Sequence, residues 1–177
     1  YQVSIDEARK NAGILIKEGG AEAVKVEGGE NVESVVKALT DIDIPVMGHI
    51  GLTPQSVHRM GGYKVQGKEE QQQEKLMADA LAVERGGAFA VVLEAIPQKL
   101  AAKITEKLKI PTIGIGAGLD CDGQVLVIND ILGLSGKFRP KFVKQYVQLE
   151  PVIKKAVSEY VDEVKTKKFP EDEFSFS

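Results

Sequence analysis

The sequence predicts an α/β fold built on a parallel sheet, and three observations carry that expectation. A segment recurs: Gly19-Gly20-Ala21-Glu22-Ala23-Val24-Lys25-Val26-Glu27 returns as Gly86-Gly87-Ala88-Phe89-Ala90-Val91-Val92-Leu93-Glu94, without a gap and with a Glu closing each copy. A second segment follows each copy. Ile44-Pro45-Val46-Met47-Gly48-His49 returns as Ile110-Pro111-Thr112-Ile113-Gly114-Ile115, so two strand-helix units repeat with a period of about 67 residues. Helical patterns lie between these short apolar runs, and strict alternation of strands and helices implies right-handed crossovers in a parallel sheet.

The elements follow in order. Ser4 and Glu7 form a capping box for a helix to Glu18, with Ile5, Ala8, Ala12, Leu15 and Ile16 on its inner side. Gly19-Gly20 stops it, and the Ala-Val run to Glu27 is too short for a helix and reads as a buried strand. Asn31 is expected to cap the next helix, to Leu39, before the strand at Ile44-Pro45. A long helix from Glu69 to Arg85 carries Leu76, Ala80 and Val83 inward, and the second Gly-Gly strand follows it. Pro97 sits where a first-turn proline is tolerated and opens a helix to Leu108. After the second Ile-Pro strand come a fifth strand, Val125 to Ile128, and a last helix from Pro151 to Lys165.

Five strands fit two architectures. At about 33 residues per unit, eight units need roughly 265 residues, near the usual length of a (β/α)8 barrel, which would leave three units absent from the front of this chain. An open, doubly wound sheet needs nothing more, and the pattern alone leaves both standing.

Composition narrows the function classes. The 177 residues carry 43% hydrophobic and 28% charged side chains with a net charge of -3, the balance of a globular chain with no general pull towards nucleic acid or an anionic membrane. No apolar run is long enough to span a membrane. The single cysteine, Cys121, allows no internal disulfide and reads as a chance loop thiol, which makes a reduced cytoplasmic setting the expectation. The N-terminus has no signal-peptide pattern and does not begin with Met, so a chain starting partway into a larger protein is one expectation.

Chemistry is expected at the carboxyl ends of the strands. Glu27 and Glu94 both fall there. Lys25 and Glu27, two apart on one strand, share a face, where an ionisable pair is costly unless used, although a structural ion pair is the plainer alternative. His49 ends the Ile-Pro strand between Gly48 and Gly51, which leave room for a ligand; a lone His is more often structural. His58 has no such support. The Thr53 to Gly67 loop runs about fifteen residues, long for a strand-to-helix connection and of the kind that covers a barrel mouth. Gly114-Ile115-Gly116-Ala117-Gly118 could cradle a phosphate or serve close packing. Asp120, Asp122 and Asp130 lack the EF-hand pattern and read as solvated acids, and Lys137, Arg139, Lys141 and Lys144 read as a solvated face.

A resemblance adds to this reading. Val24-Lys25-Val26-Glu27-Gly28-Gly29, Gly48-His49-Ile50-Gly51-Leu52-Thr53-Pro54-Gln55-Ser56, Gly61-Gly62-Tyr63-Lys64-Val65-Gln66-Gly67, Leu93-Glu94 and Ile113-Gly114-Ile115-Gly116-Ala117-Gly118 resemble the ketopantoate hydroxymethyltransferase family. The resemblance runs through to Phe169-Pro170-Glu171 and corresponds to the C-terminal two-thirds of a family member. It implies a (β/α)8 TIM barrel in which residues 1–177 form part of a single domain and supply strands 4 to 8. It also implies a Mg²⁺-dependent enzyme of pantothenate biosynthesis. Such an enzyme transfers a hydroxymethyl group from 5,10-methylenetetrahydrofolate to 3-methyl-2-oxobutanoate, giving 2-dehydropantoate, as a homo-oligomer, commonly a decamer. By family motif Glu27 matches a metal ligand, Lys25 a substrate-binding lysine, Glu94 the catalytic proton acceptor and His49 an active-site histidine.

These residue types suit the reaction. Removing a proton beside a ketone needs a general base, and Mg²⁺, a hard cation with oxygen ligands, would polarise the 2-oxo group. The family's other two metal carboxylates are aspartates on earlier strands, so the site is expected to be incomplete here. The expectation is therefore that an N-terminal fragment of the same protein completes it, or that the sequence is one part of the enzyme. The alternative is a non-catalytic α/β ligand-binding or assembly module.

Overall fold

Strand order settles how the sheet is wound. The computed structural model describes residues 2–56, 62, 64–136 and 139–176. In it five parallel strands, β1 (Val24–Glu27), β2 (Val46–Gly51), β3 (Ala90–Glu94), β4 (Thr112–Ile115) and β5 (Gly123–Gln124), lie side by side in chain order. A doubly wound sheet reverses its order at a switch point, and this one does not, so the open doubly wound alternative is set aside.

The helices are α1 (Ile5–Lys17), α2 (Glu33–Thr40), α3 (Glu70–Arg85), α4 (Gln98–Lys107), α5 (Ile128–Leu132) and α6 (Glu150–Lys165). They alternate with the strands as far as β4, after which β5 follows without an intervening helix and α5 and α6 come in succession. Ser4 caps α1 as expected, its hydroxyl accepting the Glu7 N–H at 3.2 Å. The inner face of α1 is narrower than its apolar pattern predicts: Ala8 and Ala12 are buried, whereas Ile5 and Leu15 are 38% and 52% exposed. Small residues let α1 lie close to α2 along one stripe, which leaves the larger side chains beside it at the rim.

Three expectations about boundaries are corrected. Asn31 does not cap α2: its carboxamide oxygen accepts the Gly29 N–H at 3.2 Å, and buried Val32 stands at the cap position after a 3-10 turn, Glu30–Val32. Pro97 stands one residue earlier than expected, at the N-cap of α4. The fifth strand is not Val125 to Ile128 but Gly123–Gln124, paired with Ile113 and Gly114, and Ile128 begins α5. Val125 adds only one bond to β4, from its N–H to the Gly114 carbonyl at 3.0 Å.

The described residues divide into two compact units, Tyr1–Val125 and Leu126–Ser177. In the first, strand alternation puts Val24, Val26, Val46, Ile50, Val91 and Leu93 on the helix side, where they form one core with Val36, Leu39, Leu76, Ala80, Val83, Leu100 and Ile104. Gly48 permits this packing, since a Cβ there would lie 2.1 Å from Val83 Cγ1 of α3. Arg85 ties α3 to α2 through two bonds to Glu33, 3.1 and 2.8 Å. In the second unit, α5 ends in left-handed Gly133, Tyr160 of α6 meets Phe169 edge-on at 5.6 Å, and Phe169 meets Phe174 at 5.8 Å.

Candidate active site

Register brings the expected residues together. Glu27 pairs with His49 across β1 and β2, while His49 pairs with Val92 and Gly51 with Glu94 across β2 and β3. Lys25, Glu27, His49 and Glu94 therefore share the sheet face opposite the helix-side core, at the carboxyl ends of three adjacent strands. The strand ends are drawn close here: the Gly28 N–H bonds the His49 carbonyl at 3.0 Å. A Cβ on Gly51, whose φ is 88°, would stand 2.2 Å from the Glu94 carbonyl oxygen.

His49 is the hub of the group and is only 1% exposed. Its Nδ1 lies 3.2 Å from Lys25 Nζ and 3.8 Å from Glu27 Oε1. A lysine ammonium only donates, so Nδ1 accepts from it, and in the neutral ring the proton belongs to Nε2. That nitrogen is 3.0 Å from Glu94 Oε2, but the carboxylate lies off the N–H direction, so Nε2 makes no aligned hydrogen bond. Lys25 is exposed and Glu27 and Glu94 are partly buried. Lys25, His49 and Glu94 thus form a chain of contacts from an exposed ammonium through a buried imidazole to a carboxylate.

Residue type gave no sign of one further contact. The backbone N–H of Gln55, in the 3-10 turn Pro54–Ser56, donates to Glu27 Oε2 at 3.0 Å and holds that carboxylate from the loop side. A backbone donor has no residue-type signature, and only tertiary structure reveals it. A cavity of about 640 Å³ adjoins the group, lined by Glu27, Asn31, Thr53, Gln66, Gln72 and Lys75 among others. It meets the group through Glu27 alone, since Lys25, His49 and Glu94 do not line it.

The other sequence candidates resolve into structural roles. Asp122 accepts both the amide and the hydroxyl of buried Thr112, at 2.8 and 3.0 Å, Asp120 accepts from Gln98 at 3.1 Å, and Asp130 accepts from the Ser135 hydroxyl. The Gly114 to Gly118 turn serves close packing: a Cβ on Gly118, at φ 87°, would lie 2.3 Å from Gln98 Cγ. Burial pushes the Cys121 thiol up, away from the reactive thiolate form. Lys144 lies over the Tyr146 ring at 4.7 Å, and Arg139 donates to Gln145 at 3.3 Å. His58 and Lys137 lie outside the described residues.

Comparison with known proteins gives a consistent result. A family model described as ketopantoate hydroxymethyltransferase matches residues 1–172. A 3-methyl-2-oxobutanoate hydroxymethyltransferase of Citrifermentans bemidjiense is 68% identical over 176 residues, covering 99% of this chain and 66% of the relative. The proteins of the same name from Pelobacter propionicus and Geobacter metallireducens are 65% and 64% identical over 177 residues, each covering 100% of this chain and 65% and 66% of the relatives. The chain thus spans just under two thirds of the length of these relatives. Such shares give an extent and no position, and the assignment to the C-terminal two-thirds is not borne out by them.

Proposed function

Because the chain belongs to the ketopantoate hydroxymethyltransferase family, we propose that it serves the transfer of a hydroxymethyl group from 5,10-methylenetetrahydrofolate to 3-methyl-2-oxobutanoate in pantothenate biosynthesis, giving 2-dehydropantoate. The observation that carries this reading is the line Lys25–His49–Glu94 at the ends of β1 to β3, 3.2 and 3.0 Å between successive groups. Lys25 is the cation that receives the substrate carboxylate. Water cleaves both C–N bonds of the folate's methylene bridge, leaving tetrahydrofolate and a formaldehyde unit. Glu94 removes the proton from C3 of the 2-oxo acid, the enolate carbon adds to the formaldehyde carbon, and the proton held by Glu94 converts the resulting alkoxide to the hydroxyl. His49, buried and anchored from the Lys25 side, sets its Nε2 beside the base, 3.0 Å from Glu94 Oε2. A non-catalytic binding module would have no need of a carboxylate set against a buried imidazole.

Among the described residues no group of three His, Cys, Asp or Glu side chains could hold a metal ion. These residues do not complete a Mg²⁺ site. Mg²⁺ is proposed as a cofactor to which Glu27 contributes one oxygen ligand, oriented by the Gln55 N–H, with the remaining ligands from outside the described residues.

The (β/α)8 barrel belongs to the same proposal. Right-handed crossovers in a sheet of strictly sequential order put the connecting helices α2, α3 and α4 on one face. The other face, with Met47, Ala90, Val92, Ile113 and Ile115 below the charged group, is the face that a barrel turns inward. Residues 1–177 are read as one part of that barrel, strands 4 to 8, completed by further chain. A homo-oligomer and a cytoplasmic setting complete the proposal; no helix among the described residues is long and apolar enough to cross a membrane.

Glu94→Gln in the whole protein tests the reading. Loss of a general base costs roughly 10²- to 10⁴-fold, so both hydroxymethyl transfer and exchange of the substrate C3 hydrogen with deuterated water are expected to fall by that factor. Unchanged exchange in this variant overturns the role of Glu94.

A further inference from the structure

We propose that Ala95 is a positioning residue for the base, its left-handed backbone setting the direction in which the Glu94 side chain leaves the sheet. The inference rests on the reading of Glu94 as the proton acceptor. Three non-glycine residues among those described have positive φ: Asp43 at 62°, Lys167 at 56° and Ala95 at 49°. Asp43 and Lys167 are exposed, beyond the ends of α2 and α6, where such turns are common. Ala95 is 6% exposed and directly follows the residue that carries the chemistry.

A side chain disfavours this conformation, and it persists only where the surroundings hold it. Three chain segments do so. The Ala95 N–H donates to the Ile115 carbonyl at 2.9 Å, extending the β3–β4 ladder by one bond past Glu94. The Ala95 carbonyl accepts the Gln66 N–H at 2.8 Å, and the Glu94 carbonyl accepts the Leu52 N–H at 2.8 Å. The donors are themselves fixed. Gly51, before Leu52, fits against the Glu94 carbonyl with no room for a Cβ, and a Cβ on Gly67, after Gln66, would lie 2.7 Å from Leu76 Cδ1 and 2.9 Å from Leu100 Cδ2. Both glycines have positive φ, 88° and 80°.

The consequence is a stiff hinge under the base. Alanine has a narrow left-handed basin where glycine has a wide one, so the methyl group limits how far the Glu94 backbone can rotate. The backbone next to Glu94 is bonded to all three neighbouring segments, and the carboxylate inherits that fixity. Both ends of the Thr53 to Gly67 loop are tied into the same frame: its Gln55 N–H holds Glu27 and its Gln66 N–H holds Ala95.

Ala95→Gly tests the inference in the whole protein, since glycine keeps all the backbone hydrogen bonds and removes the conformational cost. The expected result is a melting temperature equal to or above the parent's, KM for the 2-oxo acid within about twofold, and kcat and C3-hydrogen exchange lowered at least about tenfold, as misplacement of a reacting group costs. Ala95→Ser, which retains a Cβ and the narrow basin, is expected to keep kcat within about twofold. Full kcat in Ala95→Gly overturns the proposal. So does a loss of kcat that comes with a lowered melting temperature, because that marks a packing role alone. Glu94→Gln run alongside separates the two failures: if it is inactive while Ala95→Gly is fully active, the base stands and the positioning residue falls.

Discussion

Asp122 lies on the loop between β4 and β5, outside the candidate site, and one hydrogen-bonded contact there fixes β4. The amide and hydroxyl of Thr112, which is fully buried, both donate to its Oδ2, and its own N–H returns a bond to the Thr112 hydroxyl at 3.3 Å. The backbone and hydroxyl donors of Thr112 hold the Asp122 carboxyl below its ordinary value of 3.8. A carboxyl depressed in the folded state contributes stability that is fully present above its ordinary value and is lost as pH falls through the lower folded one. Asp122→Ala leaves the buried Thr112 amide without this acceptor, so a loss of about 1–3 kcal/mol is expected in urea unfolding at pH 7. Asp122→Asn keeps a neutral acceptor and should cost less, and its difference from the parent should shrink as pH is lowered below 4. A difference that stays constant from pH 7 to pH 2.5 would show that the charge on Asp122 contributes nothing.

Helix α1 has two opposing local terms that can be separated by substitution. Ser4 satisfies the Glu7 N–H, one of the first-turn donors with no partner inside the helix; Ser4→Ala should destabilise the protein by about 1 kcal/mol. Gly13 lies within the helix with open space where its Cβ would be, so Gly13→Ala should stabilise by about 0.5–1 kcal/mol. Equal unfolding midpoints for the two variants would refute both assignments. Such signals were legible in the sequence because they are local: the Ser4 cap, the glycine stops at Gly19 and Gly86, and the buried stripe of Leu76, Ala80 and Val83 each depend on residues within a turn or two. Asn31 misled because the same side chain can cap a helix or close a turn, and the Gly28-Gly29 turn claimed it. The fifth strand was misplaced because Gly123–Gln124 has no strand-like composition and is defined by its partner alone. At the site, the closing Glu of each repeat pointed to Glu27 and Glu94, but the contacts that hold them include the Gln55 and Leu52 amides, which no residue type announces.

At the scale of the assembly, helix α6 presents an apolar face that its own unit leaves uncovered. No residue of α6 is buried, yet Ile153, Val157, Tyr160, Val161 and Val164 recur at helical spacing, 36% to 55% exposed. An amphipathic helix of 16 residues has its stripe for a reason, since isolated helices of this length are marginal in water and gain their stability by burying an apolar face. The aromatic contacts of Tyr160 with Phe169 and of Phe169 with Phe174 hold the chain after the helix against its last turns and leave Ile153 and Val157 to be covered from elsewhere. The proposed homo-oligomer makes another copy of the chain the expected cover. Burying a Val or Ile side chain contributes about 1.5–3 kcal/mol, so two charges placed in the stripe should cancel most of the gain of such a contact. Ile153→Glu with Val157→Glu in the whole protein is therefore expected to lower the mass measured by light scattering, while far-ultraviolet dichroism and the unfolding cooperativity of the subunit persist. A double variant with the parent's full mass would show that this helix face takes no part in assembly.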